Sequence, residues 1–210
     1  AGSPLDGPPL LALGDSATLP SAGHALDVAA RASPAVLDTF TVLGLDRRGS
    51  GIDRIDCAEP AARAALVDAD PAATAETDLA PLLERARSVV QDCNLALPSA
   101  LGGFRSAATA ADVEQLRIRL GVAQLSAVGA GDGAGALDVW ARTAPGGVGR
   151  LVLDGPPDPA VTEPERTRAR AATAEAAFDA FALDCTGRGA CPLGPDPRAA
   201  VTALADALRE

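Results

Sequence analysis

At 210 residues the chain has the length of one domain, or of one domain and a fragment of another, and can bury a core of useful size. It is 48% hydrophobic but only 2% aromatic, with no Tyr, Met or Lys, so all 18 basic residues are Arg and the bias is that of a high-GC genome. A net charge of −10 with no basic patch leaves nucleic-acid binding without its electrostatic source, and no apolar run approaches the roughly 18 residues that a membrane span needs.

In chain order, residues 1–9 are a Gly/Pro-rich lead-in, and 9–13 (PLLAL) are an apolar run that predicts a buried strand ended by Gly14-Asp15-Ser16. Residues 22–32 suit a helix stopped by Pro34. A clearer strand, TFTVLGLD at 39–46, runs into Arg47-Arg48-Gly49-Ser50-Gly51. Helices are expected near 60–67 and 78–90, the latter with Leu82, Leu83, Ala86, Val89 and Val90 on an apolar face. A helix over 109–120 places Val113, Leu116 and Leu120 together, with Thr109-x-x-Asp112 as its cap.

Residues 125–155 read strand, sharp turn, helix, loop, strand. The short apolar run 125–128, in a strand expected over 125–130, meets Gly129, Gly131, Gly133 and Gly135 at alternate positions. A helix is expected over 134–142, and a last strand over 148–153. A strand that turns tightly into a helix strains the residue at the apex and needs small neighbours two positions either side. That is the geometry of a nucleophile elbow, G-x-S-x-G, but here it reads Gly129-Ala130-Gly131-Asp132-Gly133 and the apex has no oxygen. Beyond Gly155 the character changes. PPDPAVTEPE is a link, Thr162-x-x-Glu165 is a capping box for a helix to about Leu183, and Asp196-Pro197 opens a final helix with Val201, Leu204 and Leu208 in a stripe. Apolar runs alternating with helices predict βαβ units and a parallel α/β sheet of about four strands.

Four cysteines are an even number. Cys185 and Cys191 enclose a short polar loop, and Cys57 and Cys93 bracket an Ala-rich segment. Zinc is the rival reading, but there is no C-x-x-C and His24 is the only histidine. Two disulfides are expected, hence an oxidising, extracytoplasmic location. No metal site and no cofactor is expected. Because the sequence starts at Ala and holds no Met, a leader or anchor on a segment outside it is also expected.

With these motifs in view, the chain resembles the secreted tripeptidyl aminopeptidase and proline iminopeptidase-like α/β-hydrolases of actinobacteria. The segments that carry the resemblance are TFTVLGLDRRGSG with Cys57 following, Thr109-Ala110-Ala111-Asp112, LGVAQLSAVGAGDGAG, VGRLVLDGPPDPA and the stretch ending ACPLG. The resemblance implies a three-layer sandwich, with a partial hydrolase core over 1–155 and the start of a helical cap over 156–210. It makes the strands third to sixth of the usual eight, in sheet order 4-3-5-6, and puts Gly131 in the place of the serine. It also puts Gly14-Asp15-Ser16-Ala17 where the family has a Gly-rich oxyanion loop, and an acid there disfavours developing negative charge. The family's catalytic Asp and His would follow the cap, past Glu210.

The residues that remain have plain readings. Asp132 as a shifted nucleophile lacks a base, so it reads as a polar turn residue. His24 reads as a helix-face histidine, and Ser16 and Ser126 lie away from the apex. Asp46, Arg47 and Arg48 brace a loop rather than bind a ligand carboxylate. Trp140 is a packing residue, and Arg166, Arg168 and Arg170 form a solvated face. The expected function is a catalytically inactive hydrolase relative, an extracytoplasmic binding or structural subunit with a cell-envelope protein partner or a second copy of itself, because open sheet edges invite pairing. The alternative is a fragment or inactivated form of a secreted serine aminopeptidase or esterase.

Overall fold

The computed structural model describes residues 7–16, 18, 20–51, 54–69 and 76–208. Residues 1–6 of the lead-in and Ala17 of the Gly14–Ala17 turn therefore lie outside the described residues. The chain divides into two units, Ala1–Pro157 and Asp158–Glu210.

The first unit is built on a parallel sheet of four strands: β1 (Pro9–Leu13), β2 (Thr41–Gly44), β3 (Leu125–Ala130) and β4 (Val148–Asp154). Their order is β2-β1-β3-β4, so the expected 4-3-5-6 arrangement and its α/β sandwich are present. Leu11 pairs in register with Leu43 on one side and Ala127 on the other. Burial explains the sequence patterns. In the central β1, Leu11, Ala12 and Leu13 have no exposed surface, which is why it reads as an unbroken apolar run. In β3 buried and half-buried residues alternate, and β2 and β4, with one neighbour each, are more exposed.

The helices of this unit are α1 (Ser21–Arg31), α2 (Pro34–Leu37), α3 (Pro60–Val67), α4 (Glu76–Ala96), α5 (Ser106–Leu120) and α6 (Gly131–Thr143). Leu11, Leu13, Leu125 and Ala127 from the sheet meet Ala110 and Val113 of α5 and Ala136, Leu137 and Trp140 of α6 in one buried cluster. Trp140 is fully buried, and its indole N–H donates to Glu114 at 3.0 Å, which satisfies the one polar atom it carries into the core. Arg117 holds the same carboxylate and also donates to the carbonyls of Val122 and Ala123, closing the turn into β3.

Four expectations need correction. Pro34 ends α1 but also opens the short α2, because a proline at the first helical turn loses no hydrogen bond. Strand β2 is shorter than 39–46. Thr109 and Asp112 do not cap α5: it starts at Ser106, Thr109 is buried, and Asp112 is taken by Arg48 in a two-pronged ion pair of 2.8 and 2.6 Å. On α4 only part of the expected face is covered: Leu82, Ala86 and Val89 are half-buried, whereas Leu83 and Val90 are exposed.

The disulfide Cys57–Cys93 ties the loop before α3 to α4. In the second unit, Cys185–Cys191 links the end of α7 (Glu163–Gly187) to the turn before α8 (Pro197–Ala207). With all four thiols oxidised, none is left as a zinc ligand. Disulfides persist in oxidising compartments, so the pairing points outside the cytoplasm. Among the described residues no helix is long and apolar enough to cross a membrane.

The expected caps of the second unit are formed. Thr162 and Glu165 make a reciprocal capping box, with the Thr162 N–H donating to Glu165 at 3.0 Å, and Asp196 accepts from the Ala199 N–H at 3.0 Å. Helix α7 runs past Leu183 to Gly187. The Phe178 and Phe181 rings lie 6.1 Å apart, and the Arg198 guanidinium sits 4.9 Å above Phe178. Arg168 and Arg170 are exposed as expected, whereas Arg166 is half-buried and donates to the Val161 carbonyl.

Candidate functional site at the strand-to-helix apex

From β1 the chain leaves through α1 toward β2; from β3 it leaves through α6 toward β4 on the other side. Adjacent parallel strands whose connections depart in opposite directions leave their carboxyl ends as the place where an α/β sheet presents a site. The residues brought together there are Gly14, Asp15 and Ser16 after β1, Arg47 after β2, and Gly131 and Asp132 after β3.

Helix α6 begins directly at the apex, three residues earlier than the sequence pattern suggests. Gly131 has φ 53°, in the left-handed region where a side chain is strained. The flanking glycines are needed for packing. A Cβ on Gly129 would lie 2.8 Å from the Ala134 Cα of the helix, and one on Gly133 would press on the carbonyls of Leu13 and Gly14. Strand and helix thus approach as closely as backbones allow.

Asp132, the second residue of α6, turns its carboxylate to the β1 and β2 loops. Its Oδ1 accepts from the Ser16 N–H at 2.9 Å and from Arg47 Nη2 at 2.8 Å, and its Oδ2 accepts from the Ser16 hydroxyl. Arg47 also donates to the Gly14 carbonyl at 3.2 Å, so one guanidinium clamps all three loops. Only 13% of the Arg47 side chain is exposed, against 41% of Asp132's, so the cation is the more enclosed partner. Partial burial pushes the Asp132 carboxyl up, but Arg47 and the two Ser16 donors outweigh it and hold the group below the ordinary carboxylate range. A carboxylate held by three donors is a poor base and a poor nucleophile.

The other candidates stay apart from this cluster. Ser126 accepts from the Arg150 N–H at 3.2 Å, bracing β3 against β4. Asp46 accepts from the Ala22 N–H at 3.1 Å, and Arg48 is paired with Asp112, so both brace the loop. His24 lies on α1, its Nε2 shielded from solvent with no hydrogen-bond partner among the described residues. The contact that sequence reasoning missed is Ser16 with Asp132, 116 positions apart, for which no linear signal exists. Among the described residues no cluster of His, Cys, Asp or Glu could hold a metal ion.

A parallel sheet with flanking helices and a glycine-lined turn from strand to helix make this a hydrolase-like α/β fold. No protein-family model matches the chain. It is 34% identical over 92 residues to the serine protease Hip1 of Mycobacterium bovis and to that of two strains of Mycobacterium tuberculosis. The match takes in 44% of this chain and 18% of those relatives, so the chain is a partial relative of a serine protease and spans a small part of its length.

Proposed function

We propose that this chain is a non-catalytic relative of peptidase-type α/β-hydrolases that works outside the cytoplasm as a binding or structural subunit. The observation that supports it is the apex itself. The position where the fold presents a nucleophile is a glycine, and the neighbouring carboxylate is locked to Arg47 and Ser16. An acyl intermediate needs an attacking atom with a base beside it; Gly131 supplies no such atom. Residues 1–155 then form the hydrolase-like core and 156–210 the start of a cap, and the partner is an envelope protein or a second copy. The purified chain is expected to take no label from a fluorophosphonate probe, to turn over no peptide or ester, and to sediment as a dimer or with an envelope partner. Enzyme-like turnover sinks the first part, and a monomer without any envelope partner sinks the second.

A second reading is favoured by the 18% coverage of Hip1: the sequence is one piece of a longer serine peptidase whose attacking group lies elsewhere. Under that reading the intact protein from its native envelope takes the fluorophosphonate label on a residue outside these 210.

A further inference from the structure

The apex of α6 lacks more than a hydroxyl. A Cβ placed on Gly131 would run into the Asp15 carboxylate, with the Asp15 Cγ 2.6 Å away and the Asp15 Cβ 2.9 Å away. Real Cβ atoms essentially never come within 3.0 Å of a heavy atom that belongs to neither their own residue nor its chain neighbours. A flexible side chain can usually swing clear of such a clash. Here the swing is not enough, because the Asp15 Cβ is itself among the obstructing atoms and its position is set by the backbone. That backbone is anchored on both sides: the Gly14 carbonyl accepts from Arg47, and the Ser16 N–H donates to Asp132.

From this we infer that Asp15 is a built-in plug of the apex, and that Gly131 and Asp15 are a coupled pair in which a side chain at either position excludes one at the other. The inference rests on reading the apex as non-catalytic and adds its cause: restoring a nucleophile requires two changes, not one. The left-handed φ of Gly131 penalises any side chain there by a similar amount whatever occupies position 15. Only the steric part depends on Asp15, so a double-mutant cycle isolates it.

The test uses the intact chain and two readouts. In thermal unfolding Gly131→Ala is expected to lower Tm by roughly 5–10 °C, and adding Asp15→Gly to recover at least half of that loss. Gly131→Ala with Asp15→Ala should recover less, because the Asp15 Cβ remains. Losses that simply add overturn the inference. In the second readout Gly131→Cys introduces a thiol into a chain whose own four cysteines are paired. Alkylation by iodoacetamide is expected to be at least tenfold faster with Asp15→Gly than with Asp15 present. If Gly131→Cys folds only in company with Asp15→Gly, the pair is coupled; equal alkylation rates, or failure of both variants to fold, overturn it. Turnover by the unmodified protein would sink the proposed function without altering the cycle. An additive cycle in an inert protein would sink only the plug.

Discussion

In residues 1–157 the sheet and two helices bury Leu11, Leu13, Leu125, Leu137 and Trp140 completely, while among the described residues of 158–210 only Cys185 and Pro197 are buried. The second unit keeps its shape by local means: a capping box on α7, an N-cap on α8, a disulfide from the end of α7 to the turn before α8, and Arg198 shared by Glu175, Asp179 and the Phe178 ring. The stripe of α8 stays uncovered, with Leu204 59% and Leu208 78% exposed. Hydrophobic burial is the larger source of stability, at about 25 cal/mol per Å², whereas exposed ion pairs and caps contribute about 1 kcal/mol or less each. The first unit is thus expected to unfold as one cooperative block and the second to lose structure gradually.

Breaking the first unit should have the largest effect. Trp140→Ala empties the centre of the cluster and strips Glu114 of a donor, and should cost about 3–5 kcal/mol in urea unfolding while leaving helix α7 unchanged by amide exchange. The disulfides sharpen the comparison next. Cys57 and Cys93 are 36 positions apart, Cys185 and Cys191 only 6, so replacing the first pair by Ala should cost roughly 4 kcal/mol and the second roughly 2.5 by loop entropy, read from denaturant midpoints of the two double variants.

At the apex, Asp132→Asn removes the anion facing a largely enclosed Arg47 but keeps a polar group for Ser16. The Asp132 side chain is substantially exposed, so the loss should be only about 1 kcal/mol. The sign of the pH effect follows from the lowered carboxyl. The contribution is complete above the ordinary carboxylate value, about pH 4, and is lost as pH falls through the lower folded value. Unfolding curves between pH 5 and about pH 2 should therefore fall less steeply for Asp132→Asn than for the unmodified chain. The smallest effect is expected from Thr162→Ala, which opens the capping box. It should cost about 0.5–1 kcal/mol, seen as fraying of the first turn of α7 in amide exchange with the first unit untouched.

The elements that could be read from the chain were those whose signal is local. The unbroken apolar run of β1, the spaced glycines of the turn, the Thr162 box and the Asp196 cap each depend on neighbours within a few positions. Thr109-x-x-Asp112 shows where that logic stops. The local pattern was right for a cap, but Arg48, 64 positions away from Asp112, claimed the carboxylate first. The glycine at position 131 was visible in the sequence, as was the acid at position 15. That the acid occupies the space a side chain at 131 would take was not, since the two positions meet only once β1 and β3 are paired.

By itself, then, the sequence determined the parallel α/β arrangement, the order of its strands through the hydrolase resemblance, and the glycine at the bend. Tertiary structure decided which carboxylates became structural: Asp132 bound by Arg47 and Ser16, Asp112 by Arg48, and Asp15 set against Gly131. The reason is range. Backbone preferences and hydrophobic periodicity are written within a few residues, whereas a carboxylate's partner is chosen by whichever donor the fold carries within about 3 Å.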